Sequence, residues 1–200
     1  MVRSAAAVLG CFALAVAFAA CRAKEKEPDV GQLVTALRGT DPQASGRARL
    51  ELLKLGEPAV PALAEMLRSG TDAERLAAAN TLWGMGQRAR AAVPDLAATL
   101  ADPDPALRVA AAMALQNMGD AAAPGTQALA KAISDRDVSV RQAAVKALGA
   151  IGPSASAALP ALTRVLRRGS WPEAEEAVRR IRGLRPDAPI ELGPAEPEQP

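Results

Sequence analysis

The sequence predicts an all-α protein, a right-handed α–α superhelix of about four full two-helix repeats with a half-repeat at each end. Three observations predict it. The stretch Asp137–Gly169 can be laid over 104–136 and over 71–103 with residue types matching almost position by position. The glycines ending each first half, Gly86, Gly119 and Gly152, fall at one fixed interval (119 − 86 = 152 − 119 = 33). Apolar residues recur in columns at the same place in every unit. A fixed period in this range marks a solenoid, in which one unit cannot bury its apolar stripe alone and the units must stack. Gly56 precedes Gly86 at a shorter interval (86 − 56 = 30), and the missing three positions fall between Gly56 and Pro61.

Each unit reads as two helices. The first opens at Asp41, Thr71, Asp104, Asp137 and Ser170, residue types that can accept from free N–H groups at a helix start. Pro42 and Pro105 stand just inside, where a missing N–H is harmless. Thr71–Glu74 and Ser170–Glu173 have capping-box spacing. The closing glycine supplies a left-handed stop. The second helix begins near Pro58, Arg88, Ala121 and Ser154, with an early proline at Pro61, Pro94 and Pro160 and Gln127 in the remaining unit. The expected core columns are Leu52, Leu82, Leu115, Leu148 and Ile181 in the first helices. In the second helices they are Leu63, Leu96, Leu129 and Leu162, then Leu67, Leu100, Ile133 and Leu166. Alanines at 77–79, 110–112, 143 and 144 favour helix and let neighbours approach closely.

Asp137, Arg141, Ala143, Ala144, Ala147 and Leu148, closed by Gly152, form the pattern D-x-x-x-R-x-A-A-x-x-A-L; A-x-P-x-L-x-x-x-L surrounds Pro94 and Pro160. On these residues the chain from Val30 to Leu184 resembles the HEAT-repeat family, in its short form first described in phycobilin lyases. The resemblance implies a solenoid whose second helices line the concave side. It says little of activity, because the motif residues are packing residues.

Residues 1–20 read as a targeting segment: Arg3, then an apolar run from Ala5 to Ala20 too short for a comfortable membrane span. Phe18-Ala19-Ala20-Cys21 resembles a bacterial lipobox, with Phe18 in place of the usual leucine. The resemblance implies diacylglycerol on the Cys21 thiol, cleavage before it, and acylation of the new amine. The alternative is an ordinary secretory signal with an incidental cysteine. Cys11 would leave with the signal, so the mature domain has no thiol for a disulfide. The expected product is a lipid-anchored protein of the bacterial cell envelope, with Arg22 leaning towards the outer membrane. Residues 21–29 form a mixed-charge tether. The repeat domain runs over 30–184, with units at 41–70, 71–103, 104–136 and 137–169. Half-repeats lie at 30–38, with Val30, Leu33, Val34 and Leu37 inward, and at 170–184, with Arg179, Arg180 and Arg182 towards solvent. Residues 185–200, proline- and acid-rich without apolar period, are expected to be disordered.

The chain has no histidine and no tyrosine, so the commonest general base and metal ligand is missing. The expectation is a protein that is not an enzyme, with no cofactor, no metal and no phycobilin-lyase activity. With 24 basic against 22 acidic residues it is near neutral, which together with export disfavours nucleic acid. Arg75, Arg108 and Arg141 share a column four residues after the caps. They are read as structural: Arg108 and Arg141 pair with their own cap acids, Arg75 with Asp72, and acids of the neighbouring unit are a further option.

The candidate binding residues are Ala98, Lys131, Arg164, Arg167 and Arg168 on the second-helix row, together with Trp83 and Trp171. That row is smooth in its middle and basic at its C-terminal end. The basic end is either a solvated cap or a binding patch. Each tryptophan is either an interface anchor or a packing plug. Two functions follow: a scaffold binding an envelope protein, or recognition of an anionic polymer or lipid head group by the C-terminal arginines.

Overall fold

Capping residues and prolines set where each helix begins. A computed structural model, which describes residues 29–192, contains ten α-helices among the described residues and no strand. They are α1 (Val30–Arg38), α2 (Pro42–Leu55), α3 (Val60–Ser69), α4 (Asp72–Met85), α5 (Val93–Thr99), α6 (Pro105–Met118), α7 (Thr126–Ala132), α8 (Val138–Ile151), α9 (Leu159–Arg168) and α10 (Pro172–Arg182). The even-numbered helices α2 to α10 form one layer, in which α4, α6, α8 and α10 pack side by side. The odd-numbered α3 to α9 form the other, and α1 closes the first end against α2 and α3.

The expected caps form at four of five starts. Asp41, Asp104 and Asp137 accept from the N–H groups of Gln43, Ala106 and Ser139, and Thr71 and Glu74 make a complete capping box. Asp29, assigned to the tether by the sequence, caps α1 through the Gly31 N–H. The fifth start is a correction. Trp171 occupies the cap position of α10 and makes no side-chain cap bond, while the Ser170 hydroxyl reaches Glu175 instead. Pro172 decides this: it fixes the first helical position and holds the preceding residue extended, at φ −141° and ψ 98°. The same rule puts Asp41 and Asp104 immediately before Pro42 and Pro105.

The closing glycines also differ from expectation. Gly56, Gly86, Gly119 and Gly152 have positive φ, but their ψ lies between −130° and −140°, the mirror image of extended backbone rather than the left-handed helix. Among the described glycines only Gly183, after α10, takes the left-handed helical conformation. From the mirror-extended glycine the chain enters a 3₁₀ lead-in: Glu57–Ala59, Gly86–Ala92, Gly119–Gly125 and Gly152–Ala158. The second half of each unit therefore starts about where expected, but as 3₁₀, with the α-helix following. The deficit of the first unit falls in this lead-in, because the step from Gly56 to the start of α3 at Val60 is shorter than that from Gly86 to the start of α5 at Val93.

The core lies between the layers. Every residue of the predicted leucine and isoleucine columns is buried, from Leu52 and Leu63 through to Leu166 and Ile181. The alanines Ala78, Ala79, Ala111, Ala112 and Ala144 are fully buried where first helices meet. At Gly149 the approach is closer still: a Cβ there would lie 3.3 Å from the Cα of Ala177, so α8 and α10 touch through the missing side chain.

The described part of the C-terminal segment expected to be disordered is residues 185–192. They are non-helical, yet they lie back on the last unit, with Ile190 and Leu192 half-buried against the core. Arg167 Nη2 donates to Leu192 O at 2.8 Å, Arg179 Nε to Ala188 O at 3.1 Å, and Arg182 Nη1 to Glu191 O at 2.9 Å. Arg179 is consequently half-buried rather than turned to solvent. The targeting segment, Cys21 and residues 193–200 lie outside the described residues.

Candidate functional site

The arginine column binds the stack together, though Arg108 and Arg141 do not use the cap acids first expected. Arg108 does not pair with Asp104, whose carboxylate is used on its own helix start. Its Nη2 donates to Asp135 Oδ1 at 2.8 Å, in the loop ending the same unit, and its Nη1 to the carbonyls of Asp102 and Pro103 at 2.8 and 3.1 Å. Arg108 is only 4% exposed, and its Nε has no partner. Arg75 pairs in the same way with Asp102 and, more loosely at 3.5 Å, with Asp72. Asp102 and Asp135 each also accept the N–H two residues on, of Asp104 and Asp137. One carboxylate thus closes the loop between units and neutralises an arginine on the first helix of its own unit.

The ladder stops at the third rung. Arg168 stands at the point of its unit that Asp102 and Asp135 occupy in theirs (135 − 102 = 168 − 135). Arg141 accordingly donates to the carbonyls of Asp135 and Arg136 and pairs with no carboxylate among the described residues. The helix α9 runs on through Arg168, whereas Asp102 and Asp135 lie in loops. Arg168 joins the second-helix face instead.

That face carries five of the seven candidate binding residues. At its N-terminal end the charges satisfy one another: Arg68 donates to Asp95 at 2.8 Å and to Glu65 at 2.7 Å. Its hydrogen bond to Arg68 holds the Glu65 carboxyl below the usual carboxylate range. In the middle, Ala98 and Ala101 are exposed and small. At the C-terminal end a groove of about 460 Å³ opens between α7 and α9, lined by Lys131, Ser134, Arg164 and Arg168 over Ala130, Ala161 and Val165. Arg167, on the same helix, points to the tail segment and donates to Leu192 O.

The tryptophans fall elsewhere. Trp83, on α4, belongs to the first-helix layer and is 46% exposed, with Leu50 of α2 and Met113 of α6 exposed in the same layer. It therefore does not share a face with Ala98. Trp171 is half-buried against the core at the start of α10. The exposed apolar character of Leu50 and Met113 escaped the sequence reading, although the period was sufficient to find it. Both stand nine residues after a cap, where the other two units have Asn80 and Lys146.

A second groove of about 440 Å³ lies between α8 and α10, over Gly149 and Ala177. Its charges are of both signs, and Arg180 is already paired with Glu176 at 2.7 Å. Among the described residues no group of three or more histidine, cysteine, aspartate or glutamate side chains could hold a metal ion, and no helix is long and apolar enough to cross a membrane.

Known structures share this architecture. An engineered protein superposes with a TM-score of 0.58 at 22% identity, over 76% of this chain and 79% of that one. The phycocyanin lyase complex of CpcE and CpcF from Nostoc sp. PCC7120 gives 0.58 at 23%, over 74% and 95%. A designed armadillo repeat protein in complex with the peptide (KR)4 gives 0.57 at 16%, over 74% and 80%. At such identities the likeness concerns the fold. No curated protein matches the sequence. The profile of HEAT repeats matches residues 60–125 and 93–182, together more than half of the chain. With the fixed period, the buried columns and the arginine–aspartate ladder, these matches place the chain in the HEAT-repeat family.

Proposed function

We propose that this chain is a lipid-anchored scaffold of the bacterial cell envelope, which uses its HEAT-repeat surface to bind a protein partner and performs no catalysis. The observation that supports it best is Trp83, a large indole left 46% exposed in the middle of a stack whose core is otherwise closed. Exposed aromatic and apolar side chains grouped on one layer mark association surfaces, and tryptophan is enriched where binding energy concentrates. Leu50 and Met113 extend that layer on either side. The anchor rests on the lipobox-like Phe18-Ala19-Ala20-Cys21 and on the apolar run before it. Several acyl chains on one residue make a durable attachment, at about 0.8 kcal/mol per buried CH₂.

The test has two arms. Cys21→Ala should abolish palmitate labelling and release the protein from membranes; unchanged labelling and partitioning would refute the anchor. Trp83→Ala should reduce recovery of partner proteins from detergent-solubilised envelope while leaving the circular dichroism of the protein unchanged. Recovery unaltered by Trp83→Ala, and also by Ala98→Trp on the opposite layer, would remove both faces from the scaffold reading.

A further inference from the structure

We propose that the groove between α7 and α9 is the docking site for an extended, carboxylate-rich segment of a protein partner. This rests on the scaffold reading and assigns a ligand chemistry to one of its faces. Lys131, Arg164 and Arg168 line the groove, and none of them meets a carboxylate among the described residues. Other arginines of the molecule, Arg68, Arg75, Arg108, Arg179 and Arg180, are already paired with acids. Three like charges around one recess repel one another, and an incoming anion relieves all three at once. Two of them are guanidinium groups, whose forked donors suit carboxylates two bonds at a time.

The groove also selects the kind of anion. Its floor is made of Ala130, Ala161 and Val165, so an occupant gains by covering methyl groups as well as by meeting charge. A polypeptide carries acidic and apolar side chains together, whereas a polyphosphate or a sugar acid chain brings little apolar surface. A bilayer surface is broad and cannot enter a recess between two helices. The same end of the molecule, moreover, already holds extended polypeptide. Arg167, one turn from Arg164 on α9, donates to Leu192 O, and Arg179 and Arg182 hold two further carbonyls of 185–192. Donors suited to a main chain thus stand beside cations suited to its acidic side chains.

The experiment uses the full chain purified in detergent and a fluorescent peptide of alternating glutamate and alanine. Its counterpart with glutamine for glutamate is the neutral control. The acidic peptide should bind at least about tenfold more tightly than the neutral one, and moderate salt should weaken it. The double variant Arg164→Gln, Arg168→Gln should lose about tenfold or more, with its circular dichroism unchanged. Lys146→Gln, on α8, should bind like the parent. Equal binding of the two peptides, or full affinity in the double variant, overturns the proposal. So does displacement of the acidic peptide by phosphatidylglycerol vesicles that retain the parent and not the double variant, which would make the groove a head-group site. Recovery of partners through the Trp83 layer is measured separately, so loss of the groove and loss of the scaffold reading give different results.

Discussion

Asp135 shows how one side chain can serve two units. Its Oδ1 accepts from Arg108 Nη2 and from the Asp137 N–H, both at 2.8 Å. Burial pushes its carboxyl upward, but the hydrogen bonds from Arg108 and Asp137 and the charges of Arg108 and Arg136 prevail and hold it below the ordinary value. A carboxyl with a depressed folded-state pKa stabilises the fold above its unfolded value, about 3.9 for aspartate. That contribution is lost as pH falls through the lower folded value. Urea midpoints measured from neutral into acid should therefore decline less steeply for Asp135→Asn than for the parent over this acid range. Asp135→Ala leaves the Arg108 guanidinium buried with carbonyl partners only and should destabilise the protein at neutral pH by about 3 kcal/mol. Asp187, exposed beyond the last helix, is the control: its replacement by alanine should change little. A neutral-pH loss no larger for Asp135→Ala than for Asp187→Ala would show that the ladder is ornamental.

At the scale of the element, the unit depends on how its first helix ends. Gly152 has φ 69° and ψ −140°, and a Cβ added there would meet nothing within 4 Å. Space is therefore no obstacle to alanine; the backbone conformation is. Gly152→Ala should destabilise by roughly 1–3 kcal/mol through strain alone. A neutral result in equilibrium denaturation would mean that the lead-in can rearrange. These elements were largely legible in the sequence, because caps, prolines and leucine columns act within a few residues of one another. Less legible was what depends on partners remote in the chain. The long reach from Arg108 to Asp135 could not be told from the nearer Asp104, which has the right charge and spacing but spends its carboxylate on its own helix. Ser170 looked like a cap until Pro172 is recognised as fixing the boundary one residue later. Of the candidate binding residues, the basic groove was foreshadowed by a run of arginines. The separation of Trp83 and Ala98 onto opposite layers required the three-dimensional stack.

For the whole molecule, stability should follow the stack. Each unit contacts its neighbours, so central helices such as α6 and α8 are held from both sides and the terminal ones from one. Amide exchange should be slowest in α6 and α8 and fastest in α1, with α10 between them because residues 185–192 cover part of it. Uniform protection from α1 to α10 would point instead to a single all-or-none unit. Leu115→Ala, in a fully buried position of α6, should cost about 2–5 kcal/mol and speed exchange on both sides of the lesion.

The way residues 185–192 are held bears on how that segment can change over generations. Arg179, Arg182 and Arg167 each hold it by a main-chain carbonyl, those of Ala188, Glu191 and Leu192. A carbonyl is present whatever the side chain, and proline keeps it while losing the N–H that strand pairing would need. A stretch containing Pro186 and Pro189 can therefore dock here without joining a sheet. Heritable variation should be nearly silent at Asp187 and Glu191, and should be purged at Ile190 and Leu192, whose side chains rest on the core. Saturation mutagenesis of 186–192 read out by proteolytic resistance should recover that division, with a segment free to drift in its letters while keeping its place.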